Sequence, residues 1–190
     1  MEIREKKREI RKLVREQKAI LIPQFGKYLS MAIQERLLQM EEVSAAETIL
    51  LYYNLPDEVE TTYLLEKLSS RVGGDKRIIL PVVDGENLLL KEFRPDKISG
   101  GYCNIMEPEG EECVAAEEIG LAIIPGVAFD AGCNRLGRGK GFYDRLLPQL
   151  KCKTIGLAYG FQIVDEIPCE TFDRPLDMVL TENAIYRAPL

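Results

Sequence analysis

Residues 119–150 constrain the fold more than any other stretch. An apolar run over 119–124 ends at Pro125, and Asn134-Arg135-Leu136-Gly137-Arg138-Gly139-Lys140-Gly141-Phe142-Tyr143-Asp144-Arg145 follows. A helical pattern then covers 142–150. Strand, glycine loop and helix in that order are one unit of a parallel α/β sheet. The loop packs three glycines, four cations and one carboxylate into twelve residues. Glycines let backbone N–H groups approach an anion, because no Cβ stands in the way. A helix starting after such a loop adds free N–H groups and the positive end of its dipole. Arg135, Arg138, Lys140 and Arg145 add full charges, and Asp144 is the odd sign among them. A carboxylate beside polyphosphate commonly holds the magnesium that travels with it. The physical reading is a nucleotide-phosphate site with a metal. The bland alternative is a tight connection whose cations sit in water. The cationic excess favours the anion, since four like charges repel unless something offsets them.

Two familiar phosphate motifs are excluded. The P-loop needs Ser or Thr after Gly-Lys and a Gly five positions before that Gly. Here Gly141 follows Gly139-Lys140, and Asn134 holds the earlier place. The dinucleotide fingerprint needs Gly or Ala where Phe142 stands.

The rest of the composition narrows the function classes. A chain of 190 residues with 46% apolar and 29% charged residues suits one globular domain, spanning 1–190. Its net charge of −6 argues against general nucleic-acid binding. Five cysteines, with no CxxC pair, suggest neither zinc nor a redox dithiol and read as free thiols in a reducing cytoplasm. The charged start does not resemble a signal peptide, and no apolar run reaches membrane-spanning length. A cytoplasmic location without membrane contact is expected. The chain has no histidine, which removes Ser-His and Cys-His catalysis and imidazole metal ligands. Phosphoryl transfer needs little acid–base work, because positioning and electrostatics carry it.

Apolar periodicity predicts the elements. Residues 1–20 form a basic amphipathic helix; 1–18 hold eight cations against four glutamates, a net of +4. A second helix covers 25–40. Strands are expected at 48–53, 76–83 ending near Pro81, 88–93, 119–124, 154–158 and 178–181, the last being the final strand. Asp57 as N-cap and Glu60 three residues on predict a capped helix starting at 57. Residues 94–118 form a long connection, a length usually tied to function or mobility. Strands alternating with helices predict an α/β, three-layer fold, with a mostly parallel sheet and helices on both faces.

Residues 124–130, Ile-Pro-Gly-Val-Ala-Phe-Asp, together with 134–144, resemble the signature of the 5-formyltetrahydrofolate cyclo-ligase family, also called methenyltetrahydrofolate synthetases. The resemblance extends to nearly the whole chain. It implies an enzyme that converts 5-formyltetrahydrofolate and ATP to 5,10-methenyltetrahydrofolate, ADP and phosphate, with magnesium. It implies ATP contacts from Lys7, Arg8 and Arg11, matching a Lys-Arg-x-x-Arg run on an N-terminal helix, and from Arg135, Leu136, Gly137, Arg138, Gly139, Lys140, Gly141, Phe142 and Tyr143. It implies a folate pocket made by Tyr53, Glu58, Arg138, Gly139, Lys140, Gly141 and Phe142. Glu58 would pair with the pterin N–H donors, as a carboxylate can in a bidentate way. Tyr53 is as readily a core tyrosine. Arg138 and Lys140 would be the catalytic cations, and Asp144 and Asp173 the magnesium ligands. Phe172 stands where many members carry histidine. In the long connection, 104–108 resembles a family segment ending in Glu-Pro, and Pro108 also reads as a turn residue. Asp177 reads as structural, at the start of the last strand.

A monomer is expected, with ATP and a reduced folate as ligands and no nucleic acid or membrane. Two other readings remain at this point. One is a module that binds nucleotide or folate without turnover; the other is an RNA binder using the basic N-terminal helix.

Overall fold

The computed structural model describes residues 2–70, 72–100, 106–109, 112–171 and 173–189. Helices are α1 (Ile3–Leu38), α2 (Glu41–Ala45), α3 (Thr62–Leu68) and α4 (Phe142–Leu146). The main sheet holds β1 (Thr48–Leu50), β2 (Arg77–Asp84), β3 (Asn87–Glu92), β6 (Leu121–Ile124), β9 (Lys153–Leu157), β11 (Met178–Leu180) and β12 (Ile185–Arg187). Two smaller sheets hold β4 (Ile98–Gly100) with β5 (Met106–Pro108), and β7 (Ala128–Asp130) with β8 (Arg135–Leu136) and β10 (Ile163–Val164).

The main sheet runs β12-β11-β9-β6-β1-β2-β3, parallel from β11 to β2 and antiparallel at both edges. Its apolar runs are continuous because both faces are covered. Ile49, Ile78, Leu121, Ile155 and Met178 point to one face, against α1, α2 and α3. The residues between them, Leu50, Ile79, Ala122 and Val179, point to the other, against α4 and Phe129. Helices therefore lie on both faces of a mostly parallel sheet, as the alternating pattern predicts.

Several boundaries differ from expectation. The two N-terminal helices are one, running through Pro23. Proline cannot donate to the carbonyl four residues back, but Ala19, Ile20 and Pro23 are all exposed, so water takes over that carbonyl. The expected capped helix at 57 starts instead at Thr62. Asp57 is drawn into long-range ion pairs, and Glu58 caps its own turn by accepting the Leu55 N–H at 3.0 Å. Strand β2 continues through Pro81 to Asp84, since Pro81 pairs with Leu90. The helix expected over 142–150 is a short α4 followed by a 3-10 turn at Leu147–Gln149, where Pro148 sits. A further edge strand, β12, follows the one expected to be last.

Candidate functional site

A cavity of about 260 Å³ opens where the parallel strands end, the side on which open α/β sheets take ligands. One wall is Tyr52, Tyr53, Leu55 and Glu58, from the turn after β1. The opposite wall is the glycine loop, 137–141, with Phe142 and Tyr143. Val83, Leu88 and Glu107 make the third side.

The glycine loop is set from below by Asp130. Its carboxylate is buried and accepts the N–H groups of Gly132 (3.0 Å), Asn134 (2.9 Å) and Ile167 (3.0 Å), plus Asn134 Nδ2 (2.9 Å). The sequence reading missed this role. Asp-Ala-Gly-Cys-Asn carries the signal, because Asp side chains bond backbone two residues on and so nucleate turns. Gly139 and Gly141 sit at φ of +92° and +74°, in the left-handed region that an added side chain disfavours. Helix α4 starts directly after Gly141.

The expected site residues divide clearly. Arg135, Arg138, Lys140, Gly137, Gly139, Gly141, Phe142, Tyr143 and Asp144 surround the cavity, as do Tyr53 and Glu58 across it. Tyr53 lines the cavity and also packs on the core. Leu136 does not face the ligand side: it is 2% exposed and packs with Val14, Ala128 and Ile167. Arg11 reaches the loop through Nε to the Gly137 carbonyl at 2.9 Å, and burial lowers its pKa. Lys7 reaches Asp173 at 2.7 Å and Glu170 at 3.1 Å. Burial pulls the Lys7 pKa down, but these two carboxylates win and raise it. Arg8 is exposed and, among the described residues, makes no hydrogen bond or ion pair with the site.

The loop cations are not equivalent. The Arg135 side chain is almost wholly buried and donates to Asp144 through Nη2, while its Nε has no hydrogen-bond partner among the described residues. Its guanidinium lies 5.5 Å over the Tyr143 ring, and burial lowers its pKa. Burial also pushes the Tyr143 hydroxyl well up. Arg138 spans the cavity mouth to Asp57 (2.5 Å) and Glu58 (3.1 Å). Arg145 turns away to the Glu86 and Lys140 carbonyls. The Lys140 side chain is exposed and, among the described residues, makes neither hydrogen bond nor ion pair. Glu58 itself is fixed by its surroundings. The Tyr159 hydroxyl bonds the Glu58 carbonyl (3.1 Å), and Ser30, 2.8 Å from that hydroxyl, accepts the Glu60 N–H.

Asp144 and Asp173, far apart in sequence, both act on Arg135. Asp144 touches it, and Asp173 acts on it through its charge. Each carboxylate keeps one oxygen without a hydrogen bond among the described residues, Asp144 Oδ2 and Asp173 Oδ1. Two carboxylates with spare oxygens beside a phosphate loop fit a magnesium ion, which takes one or two carboxylates and completes its shell with phosphate and water. No third acidic or thiol side chain joins them among the described residues. Asp177 is structural, as read, and accepts the Thr154 N–H and hydroxyl, both at 2.8 Å. In the segment resembling Glu-Pro, Glu107 lines the cavity and Pro108 is buried. Asn104, Ile105 and Phe172 lie outside the described residues.

The sequence profile of the 5-formyltetrahydrofolate cyclo-ligase family matches residues 3–182. This chain belongs to that family. The 5-formyltetrahydrofolate cyclo-ligase of Escherichia coli K12 is 30% identical over 183 residues, covering 92% of this chain and 99% of that protein. Its counterpart in Haemophilus influenzae is 31% identical, covering 93% and 97%. The NMR structure of Aquifex aeolicus 5,10-methenyltetrahydrofolate synthetase superposes with a TM-score of 0.83 at 34% identity, covering 95% of this chain and 92% of that one. The cyclo-ligase signature at 124–144 thus lies on a fold shared with a solved member, and it forms β7, β8 and the loop that walls the cavity.

Proposed function

We propose that this chain is an ATP- and magnesium-dependent 5-formyltetrahydrofolate cyclo-ligase that releases 5,10-methenyltetrahydrofolate, ADP and phosphate. One observation carries the reading: a flat-walled aromatic cavity shares its rim with a cationic glycine loop. A ring substrate and a polyphosphate can therefore meet there. A volume of about 260 Å³ is small beside typical ligand pockets. It suits the pterin ring, with the rest of the folate passing out at the mouth. Tyr53 and Phe142 supply apolar faces for the ring, and Glu58 and Glu107 supply acceptors for its N–H groups.

In this reading the formyl oxygen attacks the γ-phosphorus and ADP leaves. Nitrogen 10 then attacks the formyl carbon, the ring closes, and the C–O bond to phosphate breaks. Lys140 is the cation left unengaged, so it is the one free to follow charge onto the transferring phosphoryl group. Arg138 offers Nη1 from the other side, since only its Nε and Nη2 are engaged. Arg11 ties α1 to the glycine loop at the Gly137 carbonyl, and Lys7 ties it to Asp173. Asp144 and Asp173 are the residues that would hold a magnesium ion, which would supply charge neutralisation for the polyphosphate. Water exclusion by the apolar walls protects the activated folate from hydrolysis. The protein acts as one cytoplasmic domain and as a monomer, independent of membrane and nucleic acid; among the described residues no helix is long and apolar enough to cross a membrane.

The test mixes protein, 5-formyltetrahydrofolate, ATP and magnesium and follows the near-ultraviolet absorbance of the methenyl product. Absorbance growth that needs ATP and stops on chelation supports the reading. Binding of both ligands without product sinks it in favour of a non-catalytic binding module.

A further inference from the structure

Lys18 belongs to no motif discussed above, yet it is one of the few buried charged residues in the chain, at 4% exposure. It lies on α1, beyond the Lys7–Arg11 face. Its Nζ is 3.3 Å from Asp57 Oδ2. The other Asp57 oxygen accepts Arg138 Nη2 at 2.5 Å, and Arg138 also reaches Glu58 Oε1 at 3.1 Å. Four charges thus run in a line from the helix to the cavity mouth: Lys18, Asp57, Arg138, Glu58. They sum to zero, two positive and two negative. Without Lys18 the cluster would carry −1 at the opening through which two anionic substrates pass.

Stability alone does not account for this lysine. Replacing a buried ion pair by apolar groups of similar size is often neutral or stabilising. A buried ammonium with a single carboxylate partner is therefore better explained by what it fixes. Burial lowers the Lys18 pKa, and Asp57 opposes that fall. Asp57 is in turn held below the usual carboxylate range, burial being outweighed by Lys18 and Arg138. The geometry of the line shows what is fixed. Asp57 and Glu58 grip the Nε–Nη2 edge of Arg138, which leaves the Nη1 edge for a ligand.

We infer that Lys18 is a positioning residue: through Asp57 it orients Arg138 at the cavity mouth for the reacting phosphate. The inference rests on the cyclo-ligase reading. It predicts that Lys18 matters to turnover only while Arg138 is present.

A double-mutant cycle tests it, with kcat and both KM values measured for wild type, K18M, R138A and the double variant. In the wild-type background K18M should lower kcat/KM about five- to tenfold, mostly in kcat, a coupling of the size seen between residues in one charge network. In the R138A background K18M should change nothing further. An equal loss in both backgrounds, or no loss in the first, overturns the inference. Should K18M not fold, D57N is put through the same cycle, with the same two outcomes deciding. An inactive wild type removes the cyclo-ligase reading and this inference with it. An active wild type with additive losses removes the inference alone.

Discussion

Arg135→Met separates a functional cation from a structural one, because the structure predicts a large effect on activity and a small one on stability. The Arg135 side chain is 5% exposed, and its Nε is buried without a partner. An unpaired buried donor costs about 1–3 kcal/mol. Methionine has a similar reach and no polar atoms, so it removes that cost. Against this, the variant loses the cation–π contact with Tyr143, roughly 0.5–2 kcal/mol. It also loses the Asp144 pair, but Asp144 is 37% exposed and rehydrates. Exposed partners of this kind contribute about 0–1 kcal/mol. A gain of about 1–3 kcal/mol against losses of about 0.5–3 kcal/mol leaves a change within about 2.5 kcal/mol. For a chain of this size that is a Tm shift within about 10 °C. Activity should behave differently. Removing one preorganised donor to developing charge costs about 2.7–4 kcal/mol, a hundredfold to thousandfold loss. The assays are thermal unfolding and methenyl-product absorbance on the same preparation. A Tm drop beyond about 10 °C would make Arg135 a structural keystone. Turnover within threefold of wild type in a folded variant would remove it from the phosphate site.

Three further outcomes follow from the same geometry. Lys140→Ala should leave Tm unchanged, since the side chain is exposed and unengaged, yet lower kcat/KM about a hundredfold by the loss of a charge-assisted contact; a folded variant of near-normal activity clears Lys140 of any role. Glu58→Gln should raise the folate KM about fivefold or more while sparing the ATP KM, because one acceptor for the pterin becomes a donor; equal shifts in both KM values would assign Glu58 to holding its turn and Arg138. The Lys7–Asp173 bridge should be pH-gated at both ends. Asp173 is held below the usual carboxylate range, burial being outweighed by Lys7, so its contribution is full above about 4 and lost as pH falls further. Lys7 is raised, so its contribution persists below about 10.4 and fades only above that. The Tm difference between wild type and Asp173→Asn should thus be flat from pH 5 to 9 and shrink in acid; a difference that grows in acid contradicts the bridge.

Much of the fold was legible because burial imposes a period on the chain. Strands β1, β2, β6 and β11 carry apolar runs whose residues alternate between two cores. What escaped the pattern was short or long-range. Strands β7, β8 and β10 span two or three residues and exist through pairing with each other, around the Asp130 carboxylate. No local window holds enough periodicity to show them. The helix expected at 57 failed for a related reason: its N-cap aspartate is worth more to Lys18 and Arg138, distant in sequence, than to its own helix.

The same division runs through the site. Glycine positions and cation density mark the phosphate loop in sequence, because both are local properties. Which cation is free is not local. Arg135, Arg138, Lys140 and Arg145 are interchangeable by composition, yet the fold buries the first, bridges the second, frees the third and turns the fourth outward. The acids that sort them are Asp144 for Arg135 and, after β1, Asp57 and Glu58 for Arg138. A cationic loop alone would bind any polyanion. Asp57 and Glu58 hold Arg138 by one edge, Asp144 holds Arg135, and Lys140 stays open beside an aromatic cavity. The arrangement favours an anion that arrives together with a ring, because either partner alone would leave one wall of the cavity unmatched.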